Sequence, residues 1–563
     1  MKTTNKINCV LWIGVLCIFM LGSCTDQDQN STPDANQANQ PRIVNIINFI
    51  RQSEPRDPDI TKDVLYETVV KQVELMRKYK LKGTFLLQYD ALIDPRYQKL
   101  LKSLPADSFE VGAWWEMPRA FVKDAGLKWR GKGPWDPSAD VDFATGYSLA
   151  ERKKLADTYM DKFKSIFGHY PKSVGSWFID AYTLNYLHKK YDIVASSNCK
   201  DQIGTDGYTL WGGYWNQAYY PSQKNAYMPA QHAGNQIPVP IFRMLGSDPI
   251  RQYDNGLGTN RQGVVTLEPV YKHGGGDSAW VHWYFNQFTK GEPLAFAYVQ
   301  AGQENSFTWK AMAQGFKIQL PLIAKLRDEN KVQVETMAES GAWFRKNFPV
   351  TPPTAVTVNN DLDGSNRKTV WFNSRFYRAN LFWENNTLHF RDIHLFDEDL
   401  ASAYRNKKST STSASFFTLP FVDGHRWSSR GKIAGLRFKA MVNNSEISME
   451  GKDPEITRSG EGKLHIAWPL TSIEGTLVMD LNERQIKITL DGNTSSRWFL
   501  DLSAEPSANL PFEEIDKKSV RCRFEEMPYS IDAPKGAFSQ PGDEVALRIT
   551  PEDNSVILDL TGQ

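Results

Sequence analysis

The feature that most constrains the fold of this chain is an alternation of short apolar runs with amphipathic segments from Ile43 to about Phe348. Runs such as RIVNIINFI, GTFLLQY and FEVGAWW are rich in β-branched and aromatic residues, which favour strands. Segments such as TKDVLYETVVKQVELMRKYK carry apolar residues at helical spacing, with Thr61 as the N-cap. Strand followed by helix, about seven times over roughly 300 residues, predicts a parallel α/β barrel.

One helix of this region carries the signals of both its ends. The segment SLAERKKLADTYMDKFKSIFG places Ser148 and Glu151 at capping-box spacing, and Gly168 directly follows its last apolar residue. We therefore predict a helix that begins after Ser148 and ends at Gly168.

The pattern changes after the prolines at positions 349, 352 and 353. Segments such as KTVWFNSRFYRANLFWENNTLHFRDIHLF and GTLVMDLNERQIKITLDGN alternate strand-like runs with Asn-Asn, Asn-Glu and Asp-Gly pairs, which favour turns. The predicted fold class is α/β: a (β/α)7-type barrel over residues 42–348, followed by a C-terminal antiparallel β-sandwich domain over residues 349–563.

The first residues predict targeting rather than a folded element. Lys2 and Lys6 precede an apolar run from Cys9 to Leu21, which is too short for a comfortable membrane span. The following LGSC, ending at Cys24, resembles the bacterial lipobox, in which the cysteine is lipidated. An ordinary signal peptide with a chance cysteine is the alternative interpretation.

A lipidated Cys24 would anchor the chain to a membrane. Residues 1–23 are then the lipoprotein signal peptide, and residues 24–41, which lack apolar periodicity, form a flexible polar tether. We expect a location in the cell envelope, lipid-anchored at the outer membrane and either periplasmic or exposed at the surface.

Composition narrows the partners further. The formal net charge of +1 gives no support for nucleic-acid binding through a global field. Beyond Cys24 only Cys199 and Cys522 remain, which provides neither a disulfide framework nor a thiolate metal site. Aromatic residues make up 12% of the chain and include 17 tryptophans, more than a core requires, and their flat faces suit sugar rings. We therefore expect a carbohydrate as the partner.

Polar and aromatic side chains follow nearly every predicted strand of the barrel. Each alone is ordinary, because loops are polar, but the carboxyl ends of barrel strands meet at one face, where active sites lie. The residues expected to contact the substrate are Glu54, Arg56, Asp57, Gln88, Asp90, Trp114, Trp115, Trp177, Trp215 and Gln300.

The stretch FEVGAWWEMPRAF illustrates this expectation. Neighbouring side chains on a strand face opposite ways, so Trp114 and Trp115 cannot both enter one core. Together with Trp177 they would form a wall on which a sugar stacks, with Glu116 bonding hydroxyl groups. The excursion DGYTLWGGYWNQAYYP, which contains Trp215, would close over the wall as a lid. The alternative is that these aromatic residues pack the excursion onto the barrel and touch no ligand.

Three segments carry a resemblance to known families. GTFLLQYDAL, FEVGAWWEM and PKSVGSWFIDAYTLNYLHKKYDIVAS resemble the barrel of the polysaccharide deacetylases and of the related family 57-type glycoside hydrolases, over roughly residues 43–348. The chain is also similar to barrel-plus-sandwich lipoproteins of gut Bacteroidetes. Deacetylases hold a divalent metal with two aspartates after the first strand and two histidines after the third. This chain has NFIRQSEPRD and Trp114 at those places, so we expect neither a catalytic metal nor another cofactor.

Without a metal, the resemblance to the family 57-type enzymes implies catalytic carboxylates at the ends of strands four and seven. The matching positions are Asp180 and Glu304. We expect Asp180 to be the nucleophile or base. Glu304, among Phe307 and Trp309, would then be the general acid, because an apolar environment raises the pKa of a carboxyl group.

Asp248 and Glu116 are the reserve candidates for catalysis, and capping of the helix after Asp180 is the alternative role of that aspartate. The leading hypothesis is a lipid-anchored, metal-independent glycoside hydrolase that cleaves a polysaccharide or oligosaccharide. The alternatives are a non-catalytic glycan-binding lipoprotein and a polysaccharide deacetylase with an atypical metal site. A close pair of carboxylates in an aromatic-lined cleft would favour the hydrolase, whereas aromatic residues without such a pair would favour the binding protein.

Overall fold

The computed structural model describes residues 40–492, 496–542 and 544–562, all of which belong to one compact unit, Gln40–Gln563. The predicted signal peptide, nearly all of the tether and Cys24 lie outside the described residues. None of the helices in the described ranges combines the length and apolarity that crossing a membrane would require.

The first part of the described chain alternates strands and helices. Its strands are β1 (Arg42–Ile50), β2 (Gly83–Leu87), β3 (Phe109–Trp114), β4 (Ser173–Gly175), β5 (Ala195–Asn198), β6 (Gln202–Thr205), β7 (Tyr208–Trp211), β8 (Ala218–Tyr219), β9 (Ile241–Arg243), β10 (Ala297–Ala301) and β11 (Gln333–Glu335). Its α-helices are α1 (Lys62–Lys78), α2 (Tyr89–Leu92), α3 (Pro95–Lys102), α4 (Arg119–Asp124), α5 (Ala139–Asp142), α6 (Leu149–Phe167), α7 (Ala181–Tyr191), α8 (Ser278–Lys290), α9 (Thr308–Asp328) and α10 (Met337–Asn347). Short 3-10 helices span Ala144–Gly146, Ala233–Asn235 and Asn305–Phe307.

The main sheet of this part is nearly closed and barrel-like. Its strand order is β10-β1-β2-β3-β4-β5-β9-β8, and β11 also pairs with β1. Every pairing from β10 round to β9 is parallel, whereas β8 runs antiparallel to β9. The prediction of an α/β fold built on a parallel, barrel-like sheet is therefore confirmed.

Side chains join β9 and β10, the two ends of the parallel part of this sheet. The backbone of Gln217 accepts a hydrogen bond from Arg243 N, while its side-chain amide accepts from Tyr298 N at 2.9 Å and donates to Tyr298 O at 3.3 Å. Gln300, expected to contact substrate, instead accepts from Leu245 N at 2.7 Å. These amides satisfy backbone groups that would otherwise be buried without a partner.

Helix α6 follows its local signals. The Ser148 side chain accepts from Glu151 N, and the Glu151 side chain accepts from Ser148 N, which completes the predicted capping box. Gly168 ends the helix with a φ of 83°, a conformation that costs glycine little. Both predicted ends of the helix are confirmed.

The described residues after Asn347 form strands only. They are β12 (Thr354–Val358), β13 (Lys368–Asn373), β14 (Tyr377–Glu384), β15 (Thr387–Leu395), β16 (Ala414–Phe417), β17 (Leu419–Asp423), β18 (Gly435–Val442), β19 (Ser445–Ser448), β20 (Glu455–Gly460), β21 (Lys463–Pro469), β22 (Thr476–Leu481), β23 (Gln485–Asp491), β24 (Arg497–Ser503), β25 (Phe512–Ile515), β26 (Ser519–Phe524), β27 (Met527–Lys535), β28 (Ala537–Ser539), β29 (Leu547–Thr550) and β30 (Ser555–Asp559).

These strands build two antiparallel sheets and join a third. One sheet runs β12-β13-β14-β15-β18-β24-β29-β28, with β17 on β15 and β19 on β18, and the other runs β20-β21-β22-β23-β30-β27-β26-β25. Strand β16 instead pairs with β7 of the excursion in the small sheet β16-β7-β6. The C-terminal strands therefore help to hold the excursion that lies over the barrel.

Candidate active site

A cleft of about 380 Å³ opens at the carboxyl ends of the barrel strands. Lining residues follow six strands directly: Arg51 after β1, Glu116 after β3, Trp177 after β4, Cys199 after β5, Leu245 after β9 and Glu304 after β10. Its other charged lining residues are Arg56, Asp142, Lys200, Asp206 and Glu268, and its other aromatic ones are Trp135, Phe143, Tyr208, Tyr271 and Phe307. The cleft thus combines buried charges with aromatic walls.

Arg51 is the centre of the buried charges. Its Nη2 lies 3.2 Å from Glu116 Oε2 and 3.0 Å from Glu304 Oε2, and its Nη1 lies 3.6 Å from Glu54 Oε2. Arg51 is only 3% exposed, and Nη1 makes no hydrogen bond within the described residues. One arginine therefore holds two cleft carboxylates against each other.

Glu116 is an almost fully buried carboxyl group, with 1% of its surface exposed. Burial, reinforced by the charge of Glu304 and opposed by Arg51, raises the pKa of Glu116 to about 7. Gln88, expected to contact substrate, donates to Glu116 Oε2 at 2.6 Å and so fixes its orientation. At neutral pH a substantial fraction of Glu116 therefore carries a proton that it can donate.

Glu304 is held by three neighbours. Besides the contact with Arg51, its Oε1 accepts from Ser306 Oγ at 2.5 Å, and its backbone N–H donates to Gln303 Oε1 at 2.7 Å. These contacts fix the position of the Glu304 side chain at the end of β10.

The rim beside Arg51 comes from the segment after β1. Glu54 binds Arg56 through both oxygens, at 2.7 and 2.6 Å, and the guanidinium groups of Arg51 and Arg56 lie 4.5 and 4.8 Å from the Trp135 ring centre. Arg56 lines the cleft, Glu54 lies behind it, and Asp57 is exposed and accepts from Asp59 N.

Several cleft residues were missed in the sequence. Arg51 lies in the quoted NFIRQSEPRD segment, and its place directly after a strand could have marked it. Asp142 at the end of α5 is 1% exposed, and burial together with Glu116 raises its pKa well above the usual range. Lys200 and Glu268 come from loops, and no local pattern indicates that they reach the cleft.

Asp180 lies outside the cleft lining, contrary to the role expected for it. It caps α7, accepting from Thr183 N at 2.9 Å and from Thr183 Oγ1 at 2.6 Å, and it pairs with Arg152 at 2.9 Å. Both of its oxygens are used by these partners, and it is absent from the cleft lining that contains Glu116 and Glu304. The alternative role as a helix cap describes this aspartate.

Two further candidates, Asp248 and Trp215, are buried away from the cleft. Asp248 is fully buried, caps the turn to Arg251 and accepts from Trp280 Nε1 at 2.9 Å. Trp215 stacks on Trp371 with ring centres 4.2 Å apart and donates to Gln252. Neither residue lines the cleft.

Trp114 and Trp115 are both 1% exposed, so neither can stack on a sugar in this structure. Trp114 packs on Phe49 and Trp177 in one core cluster, and Trp115 packs on Phe121 in another. They do face opposite ways, but each face of a barrel strand has its own core. Of the expected tryptophan wall, only Trp177 lines the cleft.

Asp90 is also buried behind the cleft. It accepts hydrogen bonds from Gln52 N, Ser53 Oγ and Ala91 N, and burial raises its pKa to about 6. It therefore supports the segment that carries Arg51 and does not line the cleft.

The donors of the cleft do not fit a catalytic metal ion. The Arg51 guanidinium occupies the position between Glu116, Glu304 and Glu54 from which a cation would draw its ligands. None of the nine histidines, all within the described ranges, lines the cleft. No group of three or more His, Cys, Asp or Glu side chains in the described ranges is placed to hold a metal.

A family model described as a domain of unknown function with a solved structure, DUF3863, matches residues 140–358. Comparison with curated proteins found no match. The chain is similar to a candidate glycoside hydrolase/deacetylase from Parabacteroides distasonis, with 15% identity over 68% of this chain and 91% of that one, at a TM-score of 0.48.

Two further solved structures are more distant. A candidate polysaccharide deacetylase from Mycobacterium smegmatis shows 13% identity over 56% of this chain and 93% of that one, at a TM-score of 0.34. A 4-alpha-glucanotransferase from Thermococcus litoralis shows 9% identity over 92% and 99%, at a TM-score of 0.26. Because every TM-score is below 0.5, we infer the function from the cleft itself.

Proposed function

We propose that this chain is a glycoside hydrolase in which Glu116 and Glu304 are the two catalytic carboxylates. One observation carries the proposal: the nearest oxygens of both groups contact the same nitrogen, Nη2 of Arg51, at 3.2 and 3.0 Å. Glycoside hydrolysis requires two carboxyl groups on either side of the scissile bond, and the aromatic cleft supplies the space for a sugar. A glycan-binding protein without chemistry would not need such a pair.

The surroundings of the two groups assign their roles. Glu116, with its pKa raised to about 7, is the general acid that protonates the leaving oxygen. Glu304, held in place by Arg51 and Ser306, is the nucleophile. This assignment reverses the role expected for Glu304 from the sequence and replaces Asp180 with Glu116.

The spacing supports retention of the anomeric configuration. Both carboxyl groups contact one nitrogen of Arg51, which favours the close pair of a retaining enzyme, about 5–5.5 Å apart, over the wider separation of inverting enzymes. A Glu304 oxygen then bonds to the anomeric carbon as the glycosidic C–O bond breaks and Glu116 gives its proton to the leaving oxygen. In the second step water gives a proton to Glu116 and bonds to the carbon, which releases Glu304.

The remaining expectations extend this proposal to the whole chain. The catalytic part is a (β/α)7-type barrel, the C-terminal strands form a β-sandwich that packs on it, and Cys24 carries the lipid anchor in the cell envelope. The mapped parallel strand order supports the barrel, and the two antiparallel sheets support the sandwich. Metabolic labelling of the expressed chain with a fatty-acid analogue, with Cys24→Ser as control, tests the anchor.

The catalytic proposal is tested by hydrolysis of aryl glycosides and oligosaccharides. Glu116→Gln should lower kcat/KM about 10²–10⁴-fold on oligosaccharides, but far less on aryl glycosides whose leaving group needs no proton. Glu304→Ala should abolish turnover, and added azide should restore it by attacking the anomeric carbon from the side of the missing carboxylate, which gives a glycosyl azide of inverted anomeric configuration. Glu110→Gln is the matched control, because Glu110 is buried in the same strand but lies at its opposite end.

Three outcomes would contradict the proposal. They are full activity in either cleft variant, loss of activity in Glu110→Gln without unfolding, and saccharide binding by the wild-type chain with no hydrolysis of any probe. The last would favour a glycan-binding protein.

A further inference from the structure

Two charged residues of the cleft take no part in the proposed chemistry. Lys200 and Glu268 both line the cleft and are each only 5% exposed. The Lys200 ammonium donates to Gln202 Oε1 at 2.9 Å. The Glu268 carboxylate accepts from Thr266 Oγ1 at 2.5 Å and from Gln303 Nε2 at 2.6 Å.

Buried charges are normally paired, and the other buried cations of the cleft obey that rule. Arg51 contacts Glu116 and Glu304, whereas Lys200 forms no ion pair with any described residue. Lys200 and Glu268 are close enough for the ammonium to oppose the rise that burial causes in the pKa of Glu268. They nevertheless do not bond to each other. An ammonium has three donors, so donors of Lys200 remain available beside acceptor lone pairs of Glu268.

We infer that Lys200 and Glu268 form a subsite for hydroxyl groups of a neutral sugar, which rests on the proposed function of the cleft. A hydroxyl group is both acceptor and donor, so it can accept from Lys200 and donate to Glu268 at once. A uronic acid would bring its carboxylate against Glu268, and an amino sugar would bring its ammonium against Lys200. A charge of either sign on the sugar would be attracted by one member of the pair but repelled by the other, whereas a hydroxyl group uses both, and this favours a neutral sugar.

The subsite is also tied to the proposed nucleophile. Gln303 donates to Glu268 Oε1 through its Nε2 and accepts from the backbone N–H of Glu304 through its Oε1. The Gln303 side chain therefore connects the Glu268 carboxylate to the backbone of Glu304. A sugar held by Lys200 and Glu268 is fixed relative to Glu304, which is the positioning that hydrolysis requires.

A binding measurement in the absence of turnover tests this subsite separately from the proposed catalysis. In the Glu304→Gln background, which prevents turnover, we would measure quenching of tryptophan fluorescence from the cleft by tetrasaccharides. The neutral probes are gluco-, manno-, galacto- and xylo-tetraose, and the charged probes are tetragalacturonate and the chitosan tetramer. A neutral probe should bind, and Lys200→Met or Glu268→Gln should each weaken it about 10–100-fold, because hydrogen bonds to charged groups are lost. Glu110→Gln should bind as its parent does.

The outcomes distinguish the two proposals. Equal binding by both subsite variants, tighter binding of a charged probe, or no binding of any neutral probe overturns the inference. Binding that depends on Lys200 and Glu268, with no hydrolysis by the wild-type chain, supports the subsite and overturns the catalytic proposal. If one variant does not fold, as judged by circular dichroism, the other alone decides, because loss of either group removes one of the two hydroxyl contacts.

Discussion

Arg378 and Arg51 are two of the buried arginines that hold carboxylates in the described part of this molecule, and they differ in how fully their donors are bonded. Arg378 in β14 is completely buried and donates to both oxygens of Asp392, to Asp201, to Gly213 O and to the Tyr253 hydroxyl. All five of its donors are used.

Arg51 is equally enclosed but incompletely bonded. It is 3% exposed, contacts Glu116 and Glu304 through one nitrogen, and leaves Nη1 without a hydrogen-bond partner among the described residues. It also lines the cleft. A buried donor without a hydrogen-bond partner lowers the free energy of unfolding, and such a loss of stability is typical of functional sites.

The comparison teaches that a buried cluster of charges does not by itself mark an active site. Arg378 joins Asp201 of the excursion to Asp392 of β15, so its cluster fastens the C-terminal sheet to the excursion. The same side-chain types around Arg51 face a cavity and keep unused bonding capacity. Completeness of hydrogen bonding, together with access to a cleft, separates the two roles.

The largest effect is expected when the buried cluster of Arg378, Asp201 and Asp392 is broken. Arg378→Met leaves Asp392 buried without its cation and Asp201 paired with Arg243 alone, so the free energy of unfolding should fall by about 3–5 kcal/mol. Urea denaturation at pH 7 measures the change. The control Arg523→Met removes an exposed pair with Glu513 and should leave the urea midpoint nearly unchanged. Equal losses of stability in Arg378→Met and Arg523→Met would contradict the difference expected between a buried and an exposed ion pair.

An intermediate effect concerns the pH dependence of activity. If protonated Glu116 is the acid, kcat/KM should fall about tenfold per pH unit above its pKa of about 7. Arg523→Met should keep the same profile, because it does not touch the cleft. A rate that is constant from pH 7 to 9 would exclude Glu116 as the acid.

The smallest effect concerns the direction in which the free energy of unfolding changes with pH. The folded-state pKa of Glu116 is raised, so the folded state binds more protons than the unfolded state between about pH 4.5 and 7. Stability should therefore fall by roughly 1–3 kcal/mol as the pH rises through that window, and Glu116→Gln should flatten the slope. A wild-type slope unchanged in the variant would contradict this.

Asp201, in the Arg378 cluster, should give the opposite pH dependence of stability. Burial opposes its ionisation, but Arg378 and Arg243 outweigh burial and lower the pKa of Asp201. Its contribution to stability is therefore present above its ordinary unfolded pKa and is lost as the pH falls through the lowered folded value. Comparing Asp201→Asn with the wild type by denaturation at pH 2–5 tests this direction.

Much of the barrel could be predicted because its signals are local. The alternation of period-2 and period-3.6 segments indicates strands and helices directly, and Ser148 with Glu151 forms the expected capping box. Strand ends converge on one face of a parallel barrel, and this geometry brought Glu116, Glu304, Trp177 and Arg56 to the cleft.

The remaining site residues could not be predicted because their roles depend on long-range contacts or on competition with local ones. Asp180 lies at N-cap spacing before Thr183, and its carboxylate therefore caps α7 instead of lining the cleft. Trp114 and Trp115 were both buried, because helices cover the outer face of the strand as well. Lys200 and Glu268 meet only after the loops have folded over the barrel.

The seam between β9 and β10 has a consequence for engineering the protein. Gln217 and Gln300 connect the two strands with side-chain amides, yet neither lines the cleft. Strand β10 leads to Glu304, so the edge of the barrel that carries this carboxylate is joined to its neighbour by two side chains. Because each amide satisfies buried backbone groups, shortening either one should loosen this edge at a cost in stability while every cleft-lining residue stays unchanged.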